Sequence, residues 1–176
     1  MPFAIVLFFD DNHIDPINKT IKELAETKAA PFMYENSVPH ITLAIYNDIS
    51  GGKGRDRLQA FAGTFKAPSV TFAHIGVFIS KMNGVFAAPI VTASLLEFHR
   101  DFHEFYGSVG KESWENYLPD RWVPHCTLGF DVPDENVDQA LTISRKLKLP
   151  LKVDTVSIGV MEFEPVNVLY RILFQP

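Results

Sequence analysis

Residues 38–43 read Val-Pro-His-Ile-Thr-Leu, and residues 123–128 read Val-Pro-His-Cys-Thr-Leu. The two stretches differ at a single position, Ile41 against Cys126. Both alternate polar with apolar side chains, which is typical of a β-strand. Proline cannot donate a ladder hydrogen bond, so its place before each histidine suits the first position of a strand. The sequence therefore predicts two equivalent strands.

Strand alternation assigns the polar side chains of both strands to one side. His40 and Thr42 share a face, and His125 and Thr127 share a face of the second strand. The opposite faces are apolar and have an obvious core to enter. Because unpaired buried polar groups are costly, the histidine faces must meet water, a partner or a ligand. We extend this alternation to Tyr46, which it places on the His40 face.

The segments around the two motifs repeat as well. Each half reads as strand, helix, motif strand, helix and strand, with Asn83-Gly84 as the hairpin turn between halves. Such a repeat implies two lobes related by a pseudo-two-fold axis. The sequence predicts one domain over residues 1–176, with the first repeat at about 1–82 and the second at about 83–176.

Composition excludes several classes of protein. The chain has 176 residues and a net charge of −5, which argues against coating of extended duplex nucleic acid. The apolar run at 3–9 is too short to span a membrane, so no membrane association is expected. The single cysteine, Cys126, cannot form an intrachain disulfide, which favours the cytoplasm.

Two histidines and two threonines suit the cleavage of a cyclic phosphate. An attacking water must lose a proton and the departing ribose oxygen must gain one, and imidazole performs both tasks near neutral pH. The threonine hydroxyls can donate to the non-bridging phosphate oxygens, where charge accumulates. A pseudo-two-fold axis would place His40 and His125 on opposite sides of one phosphate. This chemistry needs no metal ion and no covalent nucleophile.

The doubled motif at 40–42 and 125–127 resembles that of the 2H phosphoesterase superfamily, in particular its 2′-5′ RNA ligase and cyclic phosphodiesterase group. The resemblance covers nearly the whole chain. It implies an α+β fold, with two pseudo-symmetric lobes of antiparallel sheet and outer helices around a central cleft. It also implies that His40 and His125 are the general acid and base, and that Thr42 and Thr127 bind phosphate.

The same resemblance implies a function and a class of substrate. We expect a phosphodiesterase, without cofactor or metal, that hydrolyses 2′,3′-cyclic phosphates or related RNA-end phosphodiesters and has RNA ligation as a possible reverse activity. Its partner would be a small nucleotide or an RNA end. The alternative is a non-catalytic nucleotide-binding or regulatory module of the same fold, against which both intact histidine–threonine pairs speak.

Three further residues are candidates for substrate binding. Arg121 lies four residues before His125, so a continuing strand would bring it to the same face; otherwise it is a surface arginine paired with Asp120. Tyr46 and Trp122 could stack on a base. For both aromatic residues, an ordinary position at the edge of the core is the alternative.

His99 and His103 have the i, i+4 spacing that can bind zinc on a helix. Arg100 occupies the position where zinc proteases of the His-Glu-x-x-His type have glutamate, so that motif fails. We therefore expect two residues of the helix surface and no metal site. Cys126 faces away from His125 and reads as a small core residue.

Overall fold

The computed structural model describes residues 2–30, 38–49, 51–163 and 166–175. Over these residues the chain forms eight strands and four α-helices. The strands are β1 (Phe3–Phe9), β2 (His40–Ile49), β3 (Ser69–Phe78), β4 (Asn83–Pro89), β5 (Gly110–Ser113), β6 (Cys126–Val132), β7 (Leu151–Glu162) and β8 (Asn167–Leu173). The helices are α1 (Asp15–Glu26), α2 (Gly51–Thr64), α3 (Ala93–Tyr106) and α4 (Val137–Ser144).

Both halves contain the order strand, helix, motif strand, helix and strand, with β5 and β8 as additional strands of the second half. The strands that end the two repeat units, β3 and β7, are exchanged between the halves. In the first half β1 pairs with β2, and its other neighbour is β7 from the second half. In the second half β4 pairs with β6, and its other neighbour is β3 from the first half. All these pairs are antiparallel. Each lobe is therefore completed by the other repeat.

The two exchanged strands also pair with each other. Antiparallel pairing runs from Ser69 opposite Asp154 to Phe72 opposite Leu151. Because β3 and β7 hold equivalent places in their repeats, this pairing lies where a pseudo-two-fold axis relates the halves. Beyond it, the second part of β7 pairs with β8, and β5 extends the sheet beside β2.

The helices cover one face of the sheet and are distributed across the repeats in the same way as the strands. Helices α2 and α3 pack together, with α2 against β7 and β8, whereas α1 and α4 pack against β6 and each other. The main core lies between helices and sheet and contains Ile5, Leu7, Ile41, Leu43 and Leu128. We call the opposite face of the sheet the open face. It carries a smaller buried cluster with Ala4, Val6, Phe8, Ile45 and Met161.

A β-bulge follows the first motif. Val6 pairs with Thr42, but the preceding residue, Ile5, pairs with Ala44, so Leu43 is the extra residue. The bulge reverses the alternation of β2. Ala44 therefore belongs to the helix-side core, and Ile45 belongs to the open face. The predicted strict alternation of this strand is wrong beyond Leu43.

An equivalent bulge follows the second motif. Phe86 pairs with Thr127 and Val85 pairs with Gly129, so Leu128 is the extra residue. Gly129 consequently turns toward the helix side, where a Cβ would lie 2.7 Å from that of Ala30. The bulges occupy the same position in both motifs, immediately after the threonine.

The predicted hairpin turn is displaced, and a glycine-rich stretch is helical. The β3–β4 hairpin exists, but its turn precedes Asn83, which already belongs to β4. The amide of Asn83 donates to the Val132 carbonyl at 3.0 Å and to the Asp134 carboxylate at 2.7 Å. Its Oδ1 also accepts from the Ser80 N–H at 3.1 Å, so the side chain both closes the turn and links it to β6. Helix α2 begins at Gly51 and includes Gly52 and Gly54, although glycine is unfavourable within helices.

Gly159 in β7 provides a stability test. A Cβ at this position would overlap the Tyr170 carbonyl and lie 2.9 Å from Cε2 of Phe8. We expect Gly159→Ala to lower the free energy of unfolding by about 1–3 kcal/mol, as overpacking does. In the control Gly52→Ala, a Cβ in helix α2 would meet no atom within 4 Å. That variant should be neutral or up to about 1 kcal/mol more stable. Urea denaturation measures both, and equal stabilities would contradict the close approach.

Candidate active site

The two motif histidines are held in the same tautomer by equivalent contacts. Nδ1 of His40 lies 2.6 Å from the carbonyl oxygen of Val38, and Nδ1 of His125 lies 2.7 Å from that of Val123. A carbonyl oxygen only accepts, so Nδ1 carries the hydrogen in both rings. Nε2 is then the nitrogen left for proton transfer. It accepts a proton in the neutral ring and donates one in the charged ring.

Burial makes both imidazoles easier to deprotonate. Desolvation lowers the pKa of His40 below its ordinary value of 6.5, the hydrogen bond to Val38 opposes this, and the charges of His125 and Arg171 lower it further. Desolvation also lowers the pKa of His125, with the hydrogen bond to Val123 acting in the opposite direction. Both rings are half-buried, so water and a small ligand can reach them.

The fold brings the two motifs together although 85 residues separate them along the chain. Strand β2, which begins at His40, contacts β6, which follows His125 directly, and the charge of His125 lowers the pKa of His40. The Cys126 thiol is fully buried beside the backbone of His40. Burial raises the pKa of this thiol to about 12, so it is a neutral core group, as its position in the strand predicts.

The motif threonines lie in register with each other across the pseudo-symmetry. Thr42 pairs with Val6 of β1, and Thr127 pairs with Phe86 of β4, the equivalent position. Thr42 is 7% exposed, whereas Thr127 is half-buried. Both precede their bulges and so keep the orientation that alternation from the histidines predicts.

Side chains from the second half bind two carbonyl oxygens at the bulge in β2. The indole nitrogen of Trp122 donates to the Thr42 carbonyl at 2.9 Å. Nε2 of His99 lies 3.0 Å from the Leu43 carbonyl, and Nε2 of His103 lies 3.3 Å from it. These contacts supply donors to backbone acceptors inside the protein. They also hold the strand segment that carries Thr42.

His99 is 1% exposed, so its predicted position on the helix surface is wrong. Its ring stacks on Trp122 with centroids 4.0 Å apart and an interplanar angle of 1°. Burial lowers the pKa of His99 to about 4, and the nearby His103 lowers it further. Within residues 2–30, 38–49, 51–163 and 166–175, no group of three or more His, Cys, Asp or Glu side chains is placed to hold a metal ion.

The other candidate residues are not placed as continuous strand alternation predicts. Tyr46 is 1% exposed and packs on Tyr106 in the helix-side core, because the bulge turned β2 over. Trp122 is 7% exposed and belongs to the main core, where its indole nitrogen donates to the Thr42 carbonyl. Arg121 lies in a turn before β6, not on a continuing strand, and donates to Glu115 at 2.6 Å. It is a surface arginine, with Glu115 and not Asp120 as its partner.

The structure adds aromatic residues beside His125 that alternation within the motifs could not indicate. Phe78, the last residue of β3, stacks on Phe86 with centroids 4.2 Å apart, and its ring lies 4.9 Å from that of His125. Phe78 is 38% exposed. Phe86 lies over Gly76, where any Cβ would overlap its ring. An accessible aromatic surface therefore adjoins the second histidine.

These features agree with the comparisons. A sequence profile of the 2′-5′ RNA ligase superfamily matches residues 11–166, so the chain belongs to this superfamily of 2H phosphoesterases, as the doubled motif predicts. No curated protein matches the chain in sequence.

Solved structures share the fold at low identity. The chain is similar to a phosphoesterase crystal structure (14% identity, TM-score 0.62, covering 99% of this chain and 98% of the other). It is similar to E. coli LigT complexed with 3′-AMP (14%, 0.61, 100% of both) and to Kluyveromyces marxianus Usb1 (13%, 0.52, 96% of both). The predicted fold of antiparallel sheet with helices is thereby confirmed. Among the described residues, no helix is long and apolar enough to cross a membrane.

Trp122→Phe tests the contact that holds the bulge. The substitution keeps an aromatic ring but leaves the Thr42 carbonyl buried and unpaired, so we expect a loss of about 1–3 kcal/mol in unfolding free energy. Trp114→Phe is the matched control, because Trp114 is 44% exposed and donates to Asn47 at 3.0 Å where water can replace it. It should cost less than about 1 kcal/mol. Urea denaturation measures both, and equal losses would argue against the carbonyl contact.

Proposed function

We propose that this protein hydrolyses 2′,3′-cyclic phosphates or related RNA-end phosphodiesters, with His40 and His125 as general acid and base. The observation that carries the proposal is the pair of Nδ1–carbonyl hydrogen bonds, at 2.6 and 2.7 Å, which leave two Nε2 atoms for proton transfer. Membership of the 2′-5′ RNA ligase superfamily supports the reaction class. Ligation of RNA ends would be the reverse reaction at the same site.

In the proposed reaction a neutral histidine takes a proton from the attacking water through its Nε2 lone pair. The other, protonated histidine gives its Nε2 proton to the departing ribose oxygen. The hydroxyls of Thr42 and Thr127 donate to the non-bridging oxygens. After hydrolysis each ring has the protonation state that the other began with. The water oxygen forms a bond to phosphorus while the bond from phosphorus to the ribose oxygen breaks, and the two histidines supply the two proton transfers that accompany this displacement. The proposed reaction uses no metal ion.

The surroundings of the site support a nucleotide as substrate. The exposed ring of Phe78 beside His125 offers a stacking surface for a base, a contact worth about 1–3 kcal/mol in single-stranded nucleic-acid binding. A net charge of −5 is consistent with recognition of a small nucleotide or an RNA end in place of a long duplex. Within the proposal we also place the enzyme in the cytoplasm, where a single buried cysteine stays reduced.

Substitution of the histidines tests the proposal directly. His40→Ala and His125→Ala should each lower turnover of nucleoside 2′,3′-cyclic phosphates by about 10²–10⁴, measured by phosphorus NMR. The double variant should lose far less than the product of the single losses, because both groups act on one transition state. Thr42→Ala and Thr127→Ala should each cost less than either histidine.

His13→Ala is the control, since His13 is exposed and lies outside both motifs. It should keep wild-type turnover. Two outcomes would refute the shared site: losses that multiply, or a single motif variant with full turnover. Nucleotide binding without any turnover by the wild type would instead favour a regulatory module of the same fold.

The pH dependence should follow from the lowered pKa values. Both free histidines have a pKa below 6.5, so the bell-shaped profile of kcat/KM should have its maximum below about pH 6.5. Bound phosphate stabilises the protonated ring and raises its pKa. The alkaline limb of kcat should therefore lie at higher pH than that of kcat/KM. Initial rates from about pH 4 to 9, with and without chelator, measure this, and a flat profile or loss of activity in chelator would contradict the mechanism.

A further inference from the structure

Arg171 is a positively charged residue on the open face, and it belongs to neither motif. It belongs to β8 and pairs with Gly159 of β7. Because Gly159 has no side chain, the arginine can cross this position, and its Cζ lies 3.9 Å above the ring of Phe8. Phe8 in turn pairs with His40. Contacts across neighbouring strands therefore connect Arg171 of β8, through Phe8 of β1, with His40 of the first motif.

The guanidinium of Arg171 is accessible to an anion from solvent. Arg171 is exposed, and none of the salt bridges between described residues includes it. Contact with an aromatic face orients a guanidinium while its edge hydrogens stay available. Its charge acts on the pKa of His40, whereas burial and the Val123 hydrogen bond account for the shift of His125. Arg171 therefore lies to the His40 side of the site.

The equivalent position in the other half is different in chemistry. Gly76 of β3 corresponds to Gly159 of β7. Val6, the partner of Thr42, pairs on its other side with Gly159. Phe86, the partner of Thr127, pairs on its other side with Gly76. The ring above Gly76 is Phe86, and Phe78 covers that ring. The pseudo-symmetric site thus has an aromatic surface on the His125 side and a guanidinium on the His40 side.

We propose that Arg171 binds a second phosphate group of the substrate, on the His40 side of the scissile phosphate. This inference rests on the proposed function. The scissile diester carries one negative charge. In the proposed site the protonated histidine neutralises this charge and the threonine hydroxyls donate hydrogen bonds to its oxygens. A guanidinium displaced to one side matches an additional phosphate, such as the 5′-phosphate of the nucleotide being cleaved. Preferred substrates are then RNA ends or 5′-phosphorylated nucleotides instead of nucleosides with a cyclic phosphate alone.

The test compares two substrates that differ by one phosphate. Adenosine 2′,3′-cyclic phosphate and its 5′-phosphorylated form are assayed with the wild type, Arg171→Met, Arg171→Lys and the control Arg100→Met, which removes an exposed charge from helix α3. We expect the wild type to prefer the 5′-phosphorylated substrate by about tenfold or more in kcat/KM. Arg171→Met should bring the ratio close to one, Arg171→Lys should keep part of it, and Arg100→Met should keep it fully.

The ratio is internal to each variant, so a partly unfolded preparation lowers both rates without changing it. A wild-type ratio in Arg171→Met would overturn the proposal, whether or not both rates fall. If the wild type turns over neither substrate, the proposed function fails separately. Calorimetry then measures the affinities of wild type and Arg171→Met for adenosine 3′,5′-bisphosphate and for 3′-AMP. The proposal predicts that the wild type prefers the bisphosphate and that Arg171→Met loses this preference; an equal preference in both proteins would overturn it.

Discussion

The antiparallel pairing of β3 with β7 is the contact on which the site depends. These are the third strands of the two repeats, and each also borders the central strand of the other half. Neither half can complete its sheet alone, because its central strand would keep an unpaired edge. The exchange brings the strands that begin at His40 and Cys126 into one sheet. A site made from two distant motifs thereby becomes a consequence of backbone hydrogen bonding.

The two bulges determine which residues of the motif strands lie on the open face. After Thr42 and after Thr127 one extra leucine reverses the alternation, so the strands present polar groups to the open face and then return to the helix-side core. The carbonyls of Thr42 and Leu43, at the first bulge, are bound by side chains of the second half: Trp122, His99 and His103. Residues that resemble ligands in the sequence thus serve the backbone beneath the site.

The pseudo-symmetry extends to the two motif histidines but not to the residues around them. Both histidines are anchored through Nδ1 to a carbonyl two residues earlier, and burial lowers the pKa of both. Beside them, however, one half has Phe78 and the other has Arg171. Acid–base chemistry on one phosphate needs two similar groups, whereas a nucleotide has different chemistry at its two ends. The asymmetry therefore lies where a substrate would be recognised.

The sequence alone determined the recurring order of elements, the strands that begin at His40 and directly after His125, and the superfamily, because these depend on local periodicity and on a motif that occurs twice. The exchange of β3 and β7 was decided by tertiary pairing, which leaves no signal in either strand. Tyr46 was misplaced because a bulge adds one residue, and a shift of one residue moves every later side chain to the other face. Arg171 and Phe78 could not be found from the motifs, since they lie on β8 and β3 and reach the site only across neighbouring strands.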